Sequence, residues 1–233
     1  MSLMKYKLSA NSPKTECELI NRAFKLSGMR LIDFFNLSTP FVDKFISNNV
    51  KKTNGFLGQL MEVYLGASAK NLPIPDFPNL NIELKILPLN KYMFPKHPIK
   101  ICYTSFYPSV NNIVWDSSLV KLKLNKVLWI PFESDNSIHI SKRRICHPFL
   151  FNLKKYEKII KQDYENIKEL LILGKKEYIS SDLGEYLNIK PISSNKKLTN
   201  TIDHNGELVK TNFIGFYLNI KFLKRIMYEY LHL

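Results

Sequence analysis

The stretch Leu72–Leu89 reads LPIPDFPNLNIELKILPL. Within it Leu80, Ile82, Leu84 and Ile86 alternate with Asn81, Glu83 and Lys85. A period of two marks a strand with one face covered, so a half-buried strand is predicted over Asn81–Leu87. Glu83 and Lys85 then share one face and the aliphatic residues share the other. The approach Leu72-Pro73-Ile74-Pro75 cannot be helical, and a chain reversal after it would carry Asp76 beside Glu83. Two neighbouring carboxylates repel unless a cation lies between them, and hard oxygen ligands favour Mg²⁺. A lysine one pleat away can orient or deprotonate a water and offset charge on a phosphate. Many Mg²⁺-dependent DNA-cutting enzymes use this Pro-Asp…Glu-x-Lys frame. The spacing alone is weak evidence, because Glu-x-Lys on a strand is more often a solvated face with an ordinary ion pair.

The segment just upstream adds to it. Gly55–Ala69 reads GFLGQLMEVYLGASA, with Phe56, Leu57, Leu60, Met61, Val63, Tyr64 and Leu65 on nearly every helical face. A helix that is apolar all round is buried. Glu62 is its only charge, and a buried carboxylate must pair, neutralise or bind metal. It reads either as half of a buried ion pair or as a third acidic group beside Asp76 and Glu83.

The run Asn54–Leu89, NGFLGQLMEVYLGASAKNLPIPDFPNLNIELKILPL, closely resembles the MutH family of strand-nicking endonucleases of methyl-directed mismatch repair. The resemblance continues through Val127-Leu128-Trp129-Ile130-Pro131, Gly184-Glu185-Tyr186-Leu187 and Gly215-Phe216-Tyr217-Leu218, so it spans essentially the whole chain. It implies an α/β, restriction-endonuclease-like fold: a mixed central sheet flanked by helices, in two lobes around a DNA cleft, with the metal site in the N-terminal lobe. It places the family's catalytic Asp, Glu and Lys on Asp76, Glu83 and Lys85, its helix glutamate on Glu62, and a further active-site lysine on Lys123. Mg²⁺ would be held by Asp76, Glu83 and the Leu84 carbonyl, with Glu62 near a second metal or ordering water. The implied activity is nicking of the unmethylated strand at hemimethylated GATC, 5′ of the guanine, when MutL activates the enzyme, with MutS acting upstream.

Lys190-Pro191-Ile192 falls where the family carries Arg-Pro-Lys, in a loop that reads the target from the major groove. Lysine can donate to guanine O6 and N7, with poorer bidentate geometry than arginine. Ile192 cannot donate at all and offers only apolar contact, for example with a thymine methyl; the departure fits the lysine bias, relaxed selectivity, or a neighbour such as Lys196 or Lys197 taking over. Tyr217 matches the tyrosine that sits near the target adenine and senses its N6-methyl group; by pattern alone it is a core aromatic. Asn54-Gly55 falls where the family has Lys-Gly at a DNA-contacting turn. Gly55 would permit close backbone approach, and Lys51 and Lys52 lie just before it.

The chain has 233 residues, 45% of them hydrophobic, enough for one large domain or two small lobes with a real core. We treat 1–233 as one endonuclease domain whose lobe boundary is not visible in composition. The formal net charge is +14, which points to a polyanionic partner, nucleic acid rather than a membrane surface; the resemblance implies that it is duplex DNA. Among the 34 cations only Arg22, Arg30, Arg143, Arg144 and Arg225 are arginine; the lysine excess, with abundant asparagine and isoleucine, also fits an AT-rich genome. Cys17, Cys102 and Cys146 are odd in number and far apart, so they read as reduced core thiols of a cytoplasmic protein. The N-terminus shows no signal peptide and no run is long enough to span a membrane. The histidines have no ligand spacing. We expect a monomer.

Helices are predicted over Pro13–Leu26 (capped at Ser12, ended by Gly28), Leu31–Leu37, Phe41–Ile46, Leu153–Leu173 and Lys221–Leu231. Strands are predicted at Ile99–Phe106, Val120–Leu124, Val127–Phe132, Tyr178–Ser180 and Tyr186–Ile189. On the Val120–Leu124 strand, Lys121 and Lys123 would share the polar face. Rival readings are a GATC restriction-type endonuclease cutting both strands, a non-catalytic DNA-binding protein of the same fold, and a basic RNA-binding protein. The presence together of Glu62, Asp76, Glu83, Lys85 and Lys123 argues against the second, and the acidic Glu62, Asp76 and Glu83, which would repel RNA without a metal, argue against the third.

Overall fold

The computed structural model describes residues 11–38, 53–69, 72–104, 114–173, 183–191, 198–202, 207–212 and 214–231. Predicted elements at Phe41–Ile46 and Tyr178–Ser180, and the residues Lys51, Lys52, Ile192, Lys196 and Lys197, lie outside them. The chain forms two compact units. The first is drawn from Met1–Lys96, Lys126–Phe151 and Tyr228–Leu233, the second from His97–Asn125 and Asn152–Met227. Among the described residues the strands form two three-stranded sheets and one hairpin. The architecture is mixed α/β, with helices flanking the sheets.

In the first unit, α1 (Glu16–Phe24), α2 (Leu31–Ser38) and α3 (Thr53–Leu65) surround a sheet ordered β1 (Glu83–Leu89), β3 (Lys126–Glu133), β4 (Phe149–Asn152). β1 and β3 run parallel, with Glu83 opposite Val127 and Lys85 opposite Trp129. Leu57, Leu60, Met61 and Leu65 of α3 join Leu84, Leu128, Ile130, Phe34 and Phe35 in one apolar core. Phe34 meets Tyr64 edge-on at 5.5 Å between ring centroids.

Three expectations change here. α1 begins at Glu16, not Pro13, because Thr15 provides the cap by accepting from the Glu18 amide at 3.1 Å. α3 ends at Leu65, four residues early. Gly66 takes φ +83°, and the Gly66 and Ala67 amides both close onto the Glu62 carbonyl at 3.1 and 2.8 Å. Nor is α3 buried all round: Gly55, Gln59 and Val63 form an open stripe, with Val63 45% exposed.

The second unit holds an antiparallel sheet ordered β2 (Ile99–Thr104), β8 (Ile214–Leu218), β5 (Leu187–Pro191), with α5 (Glu157–Ile172) against β5; α6 (Ile220–Leu231) follows β8 and belongs to this unit as far as Met227. A hairpin pairs β6 (Leu198–Ile202) with β7 (Leu208–Asn212). α5 buries Ile160, Tyr164, Ile167 and Leu171, the predicted apolar stripe. Tyr164 stacks on Phe216 at 5.6 Å, and Tyr186 on Phe222 at 4.6 Å. Among the described residues no helix is long and apolar enough to cross a membrane.

The predicted strand Val120–Leu124 is instead a helical turn, α4 (Leu119–Leu124). Ser118 caps it, its Oγ accepting from the Lys121 amide at 3.1 Å. Val120 and Leu124, four apart, are the buried pair, while Leu122 is 37% exposed. Five residues of alternating apolar and lysine side chains fit both periods, and the serine cap decides for helix. Residues two apart on a helix do not share a face, so Lys121 and Lys123 diverge. Lys121 is held by Asp116 at 2.6 Å and Glu157 at 2.7 Å.

Candidate active site and nucleic-acid face

The carboxylate site is assembled by a tight reversal in the first unit. Phe77 and Ile82 form an isolated antiparallel bridge, the Phe77 amide donating to the Ile82 carbonyl at 2.9 Å. Pro78–Leu80 make a single 3₁₀ turn between them, and Asn81 closes it in the left-handed region at φ 55°. The next pair outward from that bridge is Asp76 and Glu83. The predicted meeting of these two residues therefore occurs, and the strand proper starts at Glu83, two residues later than expected.

Asp76 is fixed at both ends. Its carbonyl accepts from the Ser68 and Ala69 amides at 3.0 and 3.3 Å, tying it to the segment that leaves α3. Its Oδ2 accepts from the Leu84 amide at 2.8 Å. β1 is an outer strand of its sheet, and the N–H and C=O of one strand residue point to the same edge. The Leu84 carbonyl therefore faces the edge that Asp76 occupies.

Glu83 departs from the half-buried strand expected for it: only 1% of it is exposed. A parallel strand packed on both faces has no solvated side. Its Oε1 accepts from Lys85 Nζ, in an ion pair that is buried on the glutamate side and largely so on the lysine side. Burying such a carboxylate costs several kcal/mol unless charge and hydrogen bonds compensate it. Glu62 is half-buried on α3, which packs on β1. Among the described residues no three His, Cys, Asp or Glu side chains gather as a metal-binding group. The structure thus brings together Asp76, Glu83, Lys85 and the Leu84 carbonyl, and Glu62 does not complete a three-carboxylate cluster with them. Two carboxylates and a carbonyl are the hard oxygen set that suits Mg²⁺.

Of the predicted DNA-contacting residues, Lys190, Pro191 and Tyr217 come together in the second unit. On β8 Tyr217 pairs with Asn188 of β5, and Gly215 with Lys190. Pro191 ends β5, an outer strand, where a missing amide is tolerated. Lys190, Asn188, Gly215 and Tyr217 occupy one face, and the apolar Leu187, Ile189, Ile214, Phe216 and Leu218 are buried on the other. A cavity of about 470 Å³ opens beside Lys190 and Asn188, lined also by Glu185, Asn219 and Lys221. Tyr217 is not a core aromatic. It is half-buried on the polar face, and burial first, then the nearby Tyr103, push its phenol pKa above the ordinary value. A Cβ on Gly215 would lie 2.6 Å from Tyr217 Cε2, so that glycine exists to let the ring fold back over it.

Gly55 sits in the first turn of α3, exposed, and beyond its chain neighbours and the helix's own backbone nothing lies within 4 Å of where a Cβ would be. The fold itself does not require glycine there. Lys123 lies on α4, in the second unit, half-buried. Of the cysteines, Cys17 is exposed rather than in the core, Cys102 is buried, and burial pushes the Cys146 thiol up to about 11, which makes it inert.

One structural anchor was not anticipated. Asp163, 5% exposed, sits on the buried stripe of α5. Its carboxylate accepts from the amides of Glu185, Tyr186 and Leu187 at 2.9, 2.7 and 2.9 Å. Asn188 Oδ1 accepts from the Gly184 amide at 2.8 Å. A Cβ on Gly184 would strike the Leu187 carbonyl at 2.0 Å and Asp163 Cγ at 2.9 Å. The Gly184-Glu185-Tyr186-Leu187 motif is thus a backbone nest on Asp163 that sets where β5 begins. The sequence signal was a carboxylate between Ile160 and Ile167 on an otherwise apolar helical face.

The α/β architecture, helices flanking small mixed and antiparallel sheets, is of the restriction-endonuclease-like class. A family model described as "DNA mismatch repair enzyme MutH" matches residues 65–163. Proteins named DNA mismatch repair protein MutH are similar over nearly their whole length. That of Vibrio campbellii is 34% identical, covering 94% of this chain and 95% of its own. That of Shewanella woodyi is 37% identical, covering 93% of each. That of Pasteurella multocida is 36% identical, covering 94% and 98%. The chain belongs to the MutH family of DNA mismatch repair enzymes.

Proposed function

We propose that this chain is a Mg²⁺-dependent endodeoxyribonuclease that nicks the unmethylated strand at hemimethylated GATC, 5′ of the guanine. It acts as a cytoplasmic monomer, with MutL as its activator and MutS upstream. The observation that carries the reading is the Asp76 carboxylate seated on the Leu84 amide beside the buried Glu83–Lys85 pair. Asp76, Glu83 and the Leu84 carbonyl would hold the metal. When bound, Mg²⁺ supplies Lewis-acid polarisation of the phosphate and a more acidic water. Asp76 and Glu83 keep their geometry without the substrate, because backbone and lysine contacts already hold them. Lys85 positions the attacking water against the scissile phosphorus, Glu62 orders water nearby, and Lys123 supplies positive charge to the phosphate. In-line displacement then leaves a 5′-phosphate and a 3′-hydroxyl. The test is incision of a hemimethylated GATC duplex with and without MutL. Cutting confined to the unmethylated strand and stimulated by MutL supports the proposal; unassisted cutting of both strands would favour a restriction-type enzyme instead.

Lys190, Pro191 and Tyr217 would read the target, with Gly55 and Lys52 contacting the backbone. Tyr217→Ser is expected to lose discrimination more than rate. A ring packed at the adenine amino edge leaves little room for a methyl group, and losing that contact costs about 1–3 kcal/mol. Nicking rates on unmethylated and fully methylated GATC should converge in the mutant, and an unchanged ratio would remove Tyr217 from the sensor. Duplex affinity should also fall steeply with salt, with a log–log slope on the order of −4 to −6 for several phosphate contacts. A flat titration would mean that the +14 charge is compositional only.

A further inference from the structure

The face that carries Tyr217 has a third strand, and its register is irregular. In β2, Lys100 pairs with Tyr217 and Tyr103 pairs with Gly215, with a shift between Lys100 and Cys102. Two residues three apart on a regular strand point to opposite faces; the bulge brings both to the same one. Each row across the sheet is therefore complete: Lys100, Tyr217, Asn188, and then Tyr103, Gly215, Lys190. Gly215 leaves the middle of the second row without a side chain, and the Tyr217 ring folds into that gap. Tyr103, directly opposite Gly215, flanks the same gap from the other side. It is 50% exposed, with Lys100 Nζ stacked over its ring at 3.8 Å and also donating to its hydroxyl.

We propose that Tyr103 is a specificity-determining residue: with Tyr217 it forms a two-ring surface over Gly215 against which the amino edge of the target adenine is read. The inference rests on the reading of Tyr217 as the methyl sensor. The chemistry is that of a base edge meeting two phenols. Each hydroxyl can accept from an exocyclic N–H, and the apolar ring edges leave no space for an added methyl without displacing one of them. The Lys100 ammonium restrains the Tyr103 ring through its π face. Electrostatic coupling between Tyr103 and Tyr217 agrees with their closeness.

The experiment compares the full-length wild type with Tyr103→Ala, Tyr103→Leu and Tyr217→Ser. Two readouts are taken on otherwise identical duplexes with unmethylated or fully methylated GATC: MutL-stimulated nicking rates with Mg²⁺, and equilibrium binding by fluorescence anisotropy without divalent metal. Ratios between the two duplexes cancel differences in the amount of folded protein, and Tyr103→Leu keeps apolar bulk on the strand. Tyr103→Ala and Tyr103→Leu are expected to lower the unmethylated-to-methylated ratio about fivefold or more, the range for one lost base contact. If Tyr217→Ser lowers the ratio and both Tyr103 variants keep it, Tyr103 is no part of the sensor. If all three keep it, the reading of Tyr217 fails and the inference falls with it.

Discussion

Replacing Asp76 or Glu83 with alanine is expected to abolish Mg²⁺-dependent nicking, a loss of several orders of magnitude, while duplex binding survives. Loss of a metal ligand removes the Lewis acid and the activated water together. The two substitutions differ in what else they disturb. Asp76→Ala also leaves the Leu84 amide without the acceptor it has at 2.8 Å, so Asp76→Asn, which can still accept from that amide, separates geometry from charge. It should keep the wild-type melting temperature and still be inactive. Glu83→Ala leaves Lys85 beside a buried void and is expected to destabilise the first unit as well, by about 3 kcal/mol. Glu83→Gln is the milder control. Single-turnover incision and fluorescence anisotropy on the same GATC duplex provide the check. Incision by Asp76→Asn near the wild-type rate would falsify the metal assignment.

Asp163→Ala carries the largest expected effect on stability. Three backbone amides lose the carboxylate acceptor they share, and each buried unsatisfied group costs about 1–3 kcal/mol. With partial rescue by water, about 3–5 kcal/mol is expected from the second unit. At about 2–4 °C per kcal/mol for a chain of this size, its melting transition should fall by roughly 6–20 °C. Asp163→Asn should recover part of this, since one amide oxygen can serve two of the three donors. Because the nest sets the start of β5, duplex affinity should drop with the loss of Lys190 positioning. Circular dichroism melts of the variants test this, and a transition within about 2 °C of wild type would show that the nest holds without Asp163.

Much of the candidate site's geometry was legible because its signals are local. The proline-rich approach forbids helix before Asp76, and the short Phe77–Ile82 reversal leaves few places for Asp76 other than beside Glu83. Lys85, two residues on, must share the Glu83 face whatever the rest of the sheet does. Family resemblance added Lys190 and Tyr217, and the structure places both on one face of one sheet. What misled was also local. Val120–Leu124 alternates like a strand, yet five residues fit either period, and Ser118 settles it as a helix. The alternation around Glu83 suggested a solvated face, whereas a parallel partner and packing on both sides bury it.

The sequence by itself determined which segments become helix or strand over most of the described chain, and which carboxylates and lysine meet at the Asp76–Glu83 turn. Periodicity, caps and prolines act within a few residues, so those outcomes do not wait for the rest of the fold. Only the tertiary structure decided that Asp76 would seat on the Leu84 amide and that Asp163 would hold the Gly184–Leu187 nest. It alone decided that a bulge in β2 would turn Lys100 and Tyr103 to the side of Tyr217. Those depend on hydrogen bonds and strand register between segments far apart in the chain, where a shift of one residue exchanges the faces of a strand and leaves its local pattern unchanged.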